Sequence, residues 1–329
     1  MKLAIQRPWY KTRWLLSGIA AGALYGFALR VIVERSNSFS RTGGWVMTAA
    51  FLLLMPFVIG LITISEAEAH QRTSVASWIF VPWLPTLLAC ALAMLFRLEG
   101  VICIVMAVPI MLFASSIGGV VAGLFARRKY IANRSTLTCV ALLPLLLAPA
   151  EASLSSPNQT RTVESEMRIQ ASPTVVWRNI ESVSPITAAE FRPTWAQRIG
   201  FPRPVEATLS HEGIGGVRHA TFERGLTFIE TINIWKPENQ LAFSIRADTA
   251  DIPPTTLDEH VTIGGRYFDV LDGEYRIEPL SGGGVLLHLT SHQRLSTDLN
   301  GYAGLWTDAV MQNLQTSILE VIQHRCEHE

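Results

Sequence analysis

Glu230 is the acid with the most unusual surroundings in this chain. Along Thr227–Trp235 it shares one parity with Phe228, Ile232 and Ile234, and that parity is otherwise apolar. Alternate residues of a strand face opposite ways, so an inward-facing parity sets a carboxylate among apolar side chains. Lost hydration then raises its pKa, which suits acid–base chemistry or the orientation of a polar head group. The alternative is that this parity faces outward, or that Glu230 pairs with Arg218 or Arg246. His219 stands with Val217 and Thr221 on Val217–Arg224. It is either a pocket base or a hydrogen-bonded histidine at a strand edge. A third group falls in Ala250–Tyr267, a segment long for a hairpin and rich in Asp, Pro and Gly. Loops of that length in compact domains are usually functional or mobile. Asp258 and His260 there, with Asp269 beyond, would meet at a cavity mouth as an acid–base pair or a weak divalent-ion site. The plainer reading of the same loop is a solvated lid without chemistry.

Other titratable groups point away from catalysis. His288 and His292 lie roughly 13 Å apart on a strand rising ~3.3 Å per residue, too far to share a metal ion. They alternate with Leu287 and Leu289, as Glu274, Arg276 and Glu278 do on the preceding strand. This is an outer charged face, and no metal is expected. No phosphate loop, dinucleotide fingerprint or nucleophile motif is present, so no cofactor is expected either. Cys90, Cys103 and Cys139 sit in apolar runs and Cys326 is alone near the end, which offers no disulfide framework.

These groups belong to a half of the chain with strand periodicity. Glu164–Gln170 alternates as a half-buried strand. Ser172-Pro173 opens a helix with an N-cap and a proline at its first position, and a second short helix is expected within Ala188–Ile199. Strands follow at Val205–His211, Val217–Arg224, Thr227–Trp235, Gln240–Ala247, Phe268–Pro279 and Val285–Arg294. Tight breaks between most of them favour antiparallel hairpins. A long helix over Gly301–His324 closes the chain, with Tyr302, Trp306, Val310, Leu314, Ile318 and Ile322 every four residues.

The first half is of another physical class. Residues 1–150 hold 13 Lys and Arg against 4 Asp and Glu, and residues 151–329 hold 14 against 23. The neutral total hides a basic half and an acidic half, and the acidic half has no basic stripe for nucleic acid. Apolar runs of about 20 residues read as membrane helices. Spans are expected at 14–33, 44–64, 75–96, 101–126 and 136–152, which together make a transmembrane domain over 1–152. Arg30 near the end of the first can snorkel, and Gly118, Gly119 and Gly123 suit close helix packing. The last run follows Arg127, Arg128, Lys129 and Arg134 and ends in small residues, the layout of an export signal. It is read as a retained span, with cleavage as the alternative. Basic residues near the N-terminus and in the loop after the fourth run belong on the cytoplasmic side. A fifth span then exports the C-terminal domain from a bacterial inner membrane. Residues 153–162 form a linker and 163–326 the domain.

The order strand, two helices, six strands, long helix resembles the helix-grip fold of the START-like superfamily, with its polyketide cyclase-like members. The run Met167–Trp177 looks like the opening strand, proline and Val-Trp helix of that superfamily. Gly215-Gly216-Val217-Arg218 and Leu226–Phe243 look like its third strand and following hairpin. The resemblance covers about residues 163–325 and none of the membrane half. It implies an N-terminal all-α bundle joined to an α+β domain, whose antiparallel sheet grips the last helix around a mostly apolar cavity. Tyr302, Trp306 and Val310 would line that cavity, with Glu230, His219 and Asp258 as its polar groups. Three functions follow from it. One is binding of a lipid or other apolar small molecule at the bilayer. The second is a cyclase or dehydratase using Glu230 and His260, and the third a sensor coupled to the helices. A buried Glu230 beside a second titratable group favours the enzyme; a cavity without a convergent polar pair favours the binder.

Overall fold

The structure, a computed structural model, describes residues 9–37, 45–70, 73–128, 134–248 and 263–328. The chain divides into two compact units, Met1–Ser155 and Ser156–Glu329.

The first unit is helical. It comprises α1 (Trp9–Asn37), a π-helical turn at Ala50–Leu54 running into α2 (Met55–His70), then α3 (Val75–Phe80), α4 (Trp83–Leu95), α5 (Val101–Arg127) and α6 (Arg134–Ala152). Four stretches are long and apolar enough to cross a membrane: Arg13–Arg35, Ala50–Ala69, Val75–Leu95 and Val101–Arg127. The third bends where α3 gives way to α4 at Val81-Pro82, since proline removes a helix donor. Leu24, Leu95, Phe113 and Leu146 are exposed, a surface suited to lipid. Inside, Thr63 Oγ1 donates to Ile59 O at 2.7 Å and Thr86 Oγ1 to Pro82 O at 2.9 Å, so buried hydroxyls are satisfied within their own helices. Backbones approach closely at glycine. A Cβ on Gly118 would lie 1.9 Å from the Phe57 carbonyl oxygen, and one on Gly60 2.0 Å from that of Ser115. Helices α2 and α5 therefore meet main chain to main chain. Gly18, Gly22 and Gly26 form a further row on α1 against Thr63 and Ile59 of α2.

One expectation changes here. Arg30 does not snorkel; it is buried, with Nε on Glu99 and Nη1 on Glu34, each at 2.7 Å, and Nη2 on the Leu98 carbonyl. A buried guanidinium needs partners more than it needs water; Glu34 one turn on in α1 supplies one, and Leu98 and Glu99 in the loop after α4 the others. The fifth expected span is a helix, but its apolar part, Leu137–Ala152, counts among the shorter helices of 10–17 residues. At ~1.5 Å per residue that is about 24 Å, less than the roughly 30 Å of a hydrocarbon core. Helix α6 is nonetheless tied into the bundle. Tyr25 Oη donates to Ala141 O at 2.8 Å, and the Glu151 carboxylate accepts the Ala49 and Ala50 amides at 2.9 and 2.8 Å. Those amides begin a helix and lack partners within it. The small residues of the export-like signal, Ala148 and Ala152, are buried in this continuous helix.

The second unit runs β1 (Gln159–Ile169), α7 (Pro173–Glu181), α8 (Trp195–Arg198), β2 (Pro204–Leu209), β3 (Val217–Phe222), β4 (Thr227–Lys236), β5 (Gln240–Asp248), β6 (Phe268–Pro279), β7 (Val285–Leu295) and α9 (Asn300–His328). The strands form one curled antiparallel sheet in the order β1-β7-β6-β5-β4-β3-β2, with α9 gripped against it. This is the helix-grip architecture. Helix α7 begins at the predicted cap, Ser172 accepting from the Val175 amide. Helix α8 is a single turn: the capping box of Thr194 and Gln197 opens it, and Gly200, at φ 118°, ends it just ahead of Pro202. Strand β1 starts at Gln159, inside the expected linker, paired residue by residue with β7.

The core lies between the inner sheet face, α7 and the C-terminal part of α9. Ile232, Leu241, Tyr275, Leu287, Leu319 and Ile322 are among its members. Trp177 of α7 meets Trp235 of β4 edge-on, centroids 5.0 Å apart. Trp235 is on the core and Ile234 is not, contrary to simple alternation. A bulge between Ile232 and Ile234 adds one residue to β4 and reverses its parity from there on.

Arg325 near the end of α9 clamps the segment after α7. Its Nε donates to Glu190 at 2.7 Å, and its other nitrogens donate to Ser184 and Pro185 carbonyls at 3.0 and 3.1 Å. That guanidinium, with the Thr187 amide and hydroxyl, pulls the Glu190 carboxyl down to about 2 against a smaller effect of burial. A carboxyl with a lowered folded pKa stabilises the fold above its unfolded pKa, ~4.3, and loses that contribution as pH falls through the folded one. Acid unfolding should therefore show a loss of stability between about pH 4 and 2. Arg325→Met should shrink that step to the part held by Thr187 and cost about 2–3 kcal/mol at pH 7, measured by chemical unfolding across pH.

Candidate functional site

Strands β3 and β4 form a hairpin around the turn at Glu223–Gly225, and its register sets Arg218 directly opposite Glu230. On β4, Glu230 and Ile232 share the inner face ahead of the bulge, so the pair points into the unit. Both are buried, 4 % exposed for Arg218 and 5 % for Glu230. Arg218 Nη1 donates to Glu230 Oε2 at 2.5 Å. Tyr275, 2 % exposed, completes the cluster beside the Arg218 guanidinium. The guanidinium carbon lies 5.5 Å from the Phe243 ring centroid and 5.9 Å from that of Tyr275, within cation–π range. Gly273 makes room for the Phe243 ring, since a Cβ there would fall 2.7 Å from it.

Burial pushes the Glu230 carboxyl above its usual range, and Arg218 beside it offsets only part of that. Burial likewise raises the Tyr275 phenol. Arg218 keeps its proton throughout, as guanidinium does in proteins. One valence of the cluster is open: Arg218 Nε is buried and has no hydrogen-bond partner among the described residues. A buried donor left unpaired costs ~1–3 kcal/mol.

A second polar group sits elsewhere on the same face. Along β7, Leu287 and Leu289 are followed inward by Ser291 and Gln293, both buried. Gln315 of α9 receives the Ser165 hydroxyl at 2.8 Å and donates to Val163 O at 3.0 Å and to Ser291 Oγ at 2.9 Å. Gln293 Nε2 donates to Asp308 at 3.3 Å, and Asp308 is paired with Arg161. Gln293 Oε1, in a residue 0 % exposed, has no partner among the described residues.

The other expected residues separate from this site. His219 is exposed, because it alternates with inward-facing Arg218 and Ala220. It is not a pocket base. Asp258 and His260 lie outside the described residues, and Asp269 is half-buried opposite Arg294. Val310 of α9 is buried, while Tyr302 and Trp306 are half-buried. His288 and His292 lie on the outer sheet face as alternation predicts, but His288 is buried there among neighbouring side chains, with Glu164 at 3.0 Å, while His292 is half-buried on Asp272 at 2.6 Å. Arg218, considered only as a partner for Glu230, is the residue with open chemistry. Counting residues out from the tight turn would have set it opposite Glu230. Tyr275 and Gln293 carry only the signal of an inward parity.

No protein-family model matches the chain, and no curated protein does. Solved structures are similar in chain path over about half of the chain. A protein from Rhizobium leguminosarum is 14 % identical, with a TM-score of 0.33, over 54 % of this chain and 100 % of its own. Norcoclaurine synthase from Thalictrum flavum is 11 % identical, with a TM-score of 0.33, over 52 % of this chain and 98 % of its own. A Chromobacterium violaceum protein is 16 % identical, with a TM-score of 0.30, over 52 % and 99 %.

Proposed function

We propose that this chain binds an amphipathic small molecule or lipid in its helix-grip unit and is held by its helices at the outer face of a bacterial inner membrane. The observation that carries this reading is the Arg218–Glu230–Tyr275 cluster, buried on an otherwise apolar inner face with Arg218 Nε unpartnered. A buried ion pair adds little net stability over apolar side chains of the same volume. A donor left open beside it is what a polar head group needs, and the apolar face suits the body of the molecule.

Membrane anchoring draws support from the four long apolar helices. Export of the second unit draws support from α6, whose Glu151 meets the start of the second span. With a cytoplasmic N-terminus, the second span begins outside, and so does the end of α6. Local thinning of the bilayer accommodates its short apolar length.

A cyclase or dehydratase is the second reading, favoured by burial of Glu230 beside the titratable Tyr275. The binder comes first because Glu230 is engaged by Arg218, and the open group is a guanidinium N–H that serves as neither acid nor base at neutral pH. Native mass spectrometry of the full chain, released from detergent, tests the proposal. A bound amphiphile is the expected result. Apo protein alone from several detergents, with the fold intact, would contradict it.

A further inference from the structure

The exposed side of α9 changes character along its length. Its residues run Leu305, Ala309 and Gln312, then Glu320, His324 and Glu327. Residues three and four apart share a helix face, so these form a single stripe, uncharged in its first half and charged in its second. Leu305 is 67 % exposed. Asp308 is the single charged side chain in residues 300–319, and Arg161 neutralises it. Tyr302 and Trp306 lie on the same side, half-buried. Trp195, exposed on α8, follows Thr194, whose hydroxyl is bonded to Asn313 of this helix.

The uncharged end is also the one tethered to α6. The Leu154 amide donates to Glu151 O at 2.9 Å and closes the last turn of that helix. Three residues on, Pro157 O accepts from Asn300 Nδ2 at 2.7 Å, and Asn158 accepts from the Ser296 hydroxyl. Arg161 Nε donates to Asp308 at 2.8 Å, passing Gly304, where a Cβ would fall 2.7 Å from the guanidinium. The first turns of α9 are thus fixed to the start of β1. Three residues span at most about 11 Å, a covalent limit that holds for every orientation of the second unit. His324 stands roughly 28 Å beyond Leu305 along the helix, at ~1.5 Å per residue.

Resting on the membrane anchoring proposed above, we infer that the first half of α9 docks on the bilayer leaflet at which α6 ends. Leu305 and Ala309 enter the boundary between head groups and acyl chains, while Glu320, His324 and Glu327 stay in water. Tyrosine and tryptophan favour that boundary, which suits Tyr302 and Trp306. A second copy of the chain is a poorer occupant. A stable protein interface takes ~800 Å² from each partner, and the apolar part of this stripe is one leucine, one alanine and a nearby tryptophan. A bilayer needs less, because a short tether holds the surface against it at an effective concentration on the order of mM.

The test uses the full chain in nanodiscs of phosphatidylethanolamine and phosphatidylglycerol. The photo-crosslinking residue p-benzoylphenylalanine replaces Leu305, Ala309, His324 or Leu146, one at a time; all four are exposed, and Leu146 on α6 reports the anchoring. After irradiation, mass spectrometry should find phospholipid adducts at 146, 305 and 309, and none at 324. Adducts at 146 with none at 305 and 309 overturn this inference and leave the anchoring standing. Equal yields at 305 and 324 do the same, as does a cross-link from 305 to a second copy in place of lipid. No adduct at 146 in folded, monodisperse protein overturns the anchoring and this inference with it. Should the replacement at 305 or at 309 fail to fold, the other position decides the matter.

Discussion

Glu230→Leu should lower the stability of the second unit by about 3–5 kcal/mol, because Arg218 is then left charged and unpaired in the interior. No other carboxylate partner of Arg218 stands among the described residues. The Tyr275 phenol is a dipole, and its own pKa is already raised by burial. Arg218→Met on its own should cost less, since a lone buried carboxyl can take up a proton. Joined to Glu230→Leu, it should recover most of the loss, both desolvation costs having gone. Chemical unfolding of the three variants, followed by tryptophan fluorescence, measures this directly. The double variant is the informative one. If it is as stable as the parent chain yet binds no amphiphile, the ion pair is kept for the ligand. If it is as unstable as Glu230→Leu, the pair is there to hold the fold.

The second large effect belongs to the helical unit. Gly118→Leu should prevent α2 and α5 from packing, at a cost above ~3 kcal/mol. The added Cβ would come 1.9 Å from the Phe57 carbonyl oxygen. That neighbour is main chain, so no side-chain rotation relieves the clash and a whole helix must shift. Leu146→Phe, at a position 66 % exposed on α6, should be tolerated. Yield of monodisperse protein after detergent extraction separates the two. Equal yields would mean that the helices do not meet at these glycines.

Periodicity carried the architecture well, and failed where local geometry changed the count. Every strand of the second unit was visible as alternation between turn residues. The bulge before Ile234 was not, because an extra residue looks like any other in sequence, so Ile234 was expected where Trp235 packs. The stripe on α9 failed for a different reason. Residues four apart advance 40° beyond a full turn on a helix of 3.6 residues per turn, so the row from Tyr302 to Ile322 winds around the axis. Val310 and Ile322 are buried, while Tyr302, Trp306, Leu314 and Ile318 are half-buried. In the helical unit, the α1 glycine row was hidden in a run that composition had already assigned to lipid. Arg30 was placed by its distance from the helix end, and its partner Glu99 is 69 residues away.

The site was half legible. Glu230 stood out because an acid interrupted an apolar parity. Arg218 and Gln293 did not, since each is an ordinary polar residue until the register sets it inward. Of the candidate bases, His219 points away because its neighbours on both sides point in. Parity must therefore be established before a polar residue on a strand is given a chemical role.

An experimental density map of the chain purified with whatever it carries from its membrane would bear most directly on all of this. An oxygen of a bound molecule should lie about 3 Å from Arg218 Nε, with an apolar body continuing along the inner face. Closely packed protein side chains around that nitrogen, leaving no room for a foreign atom, would contradict the account.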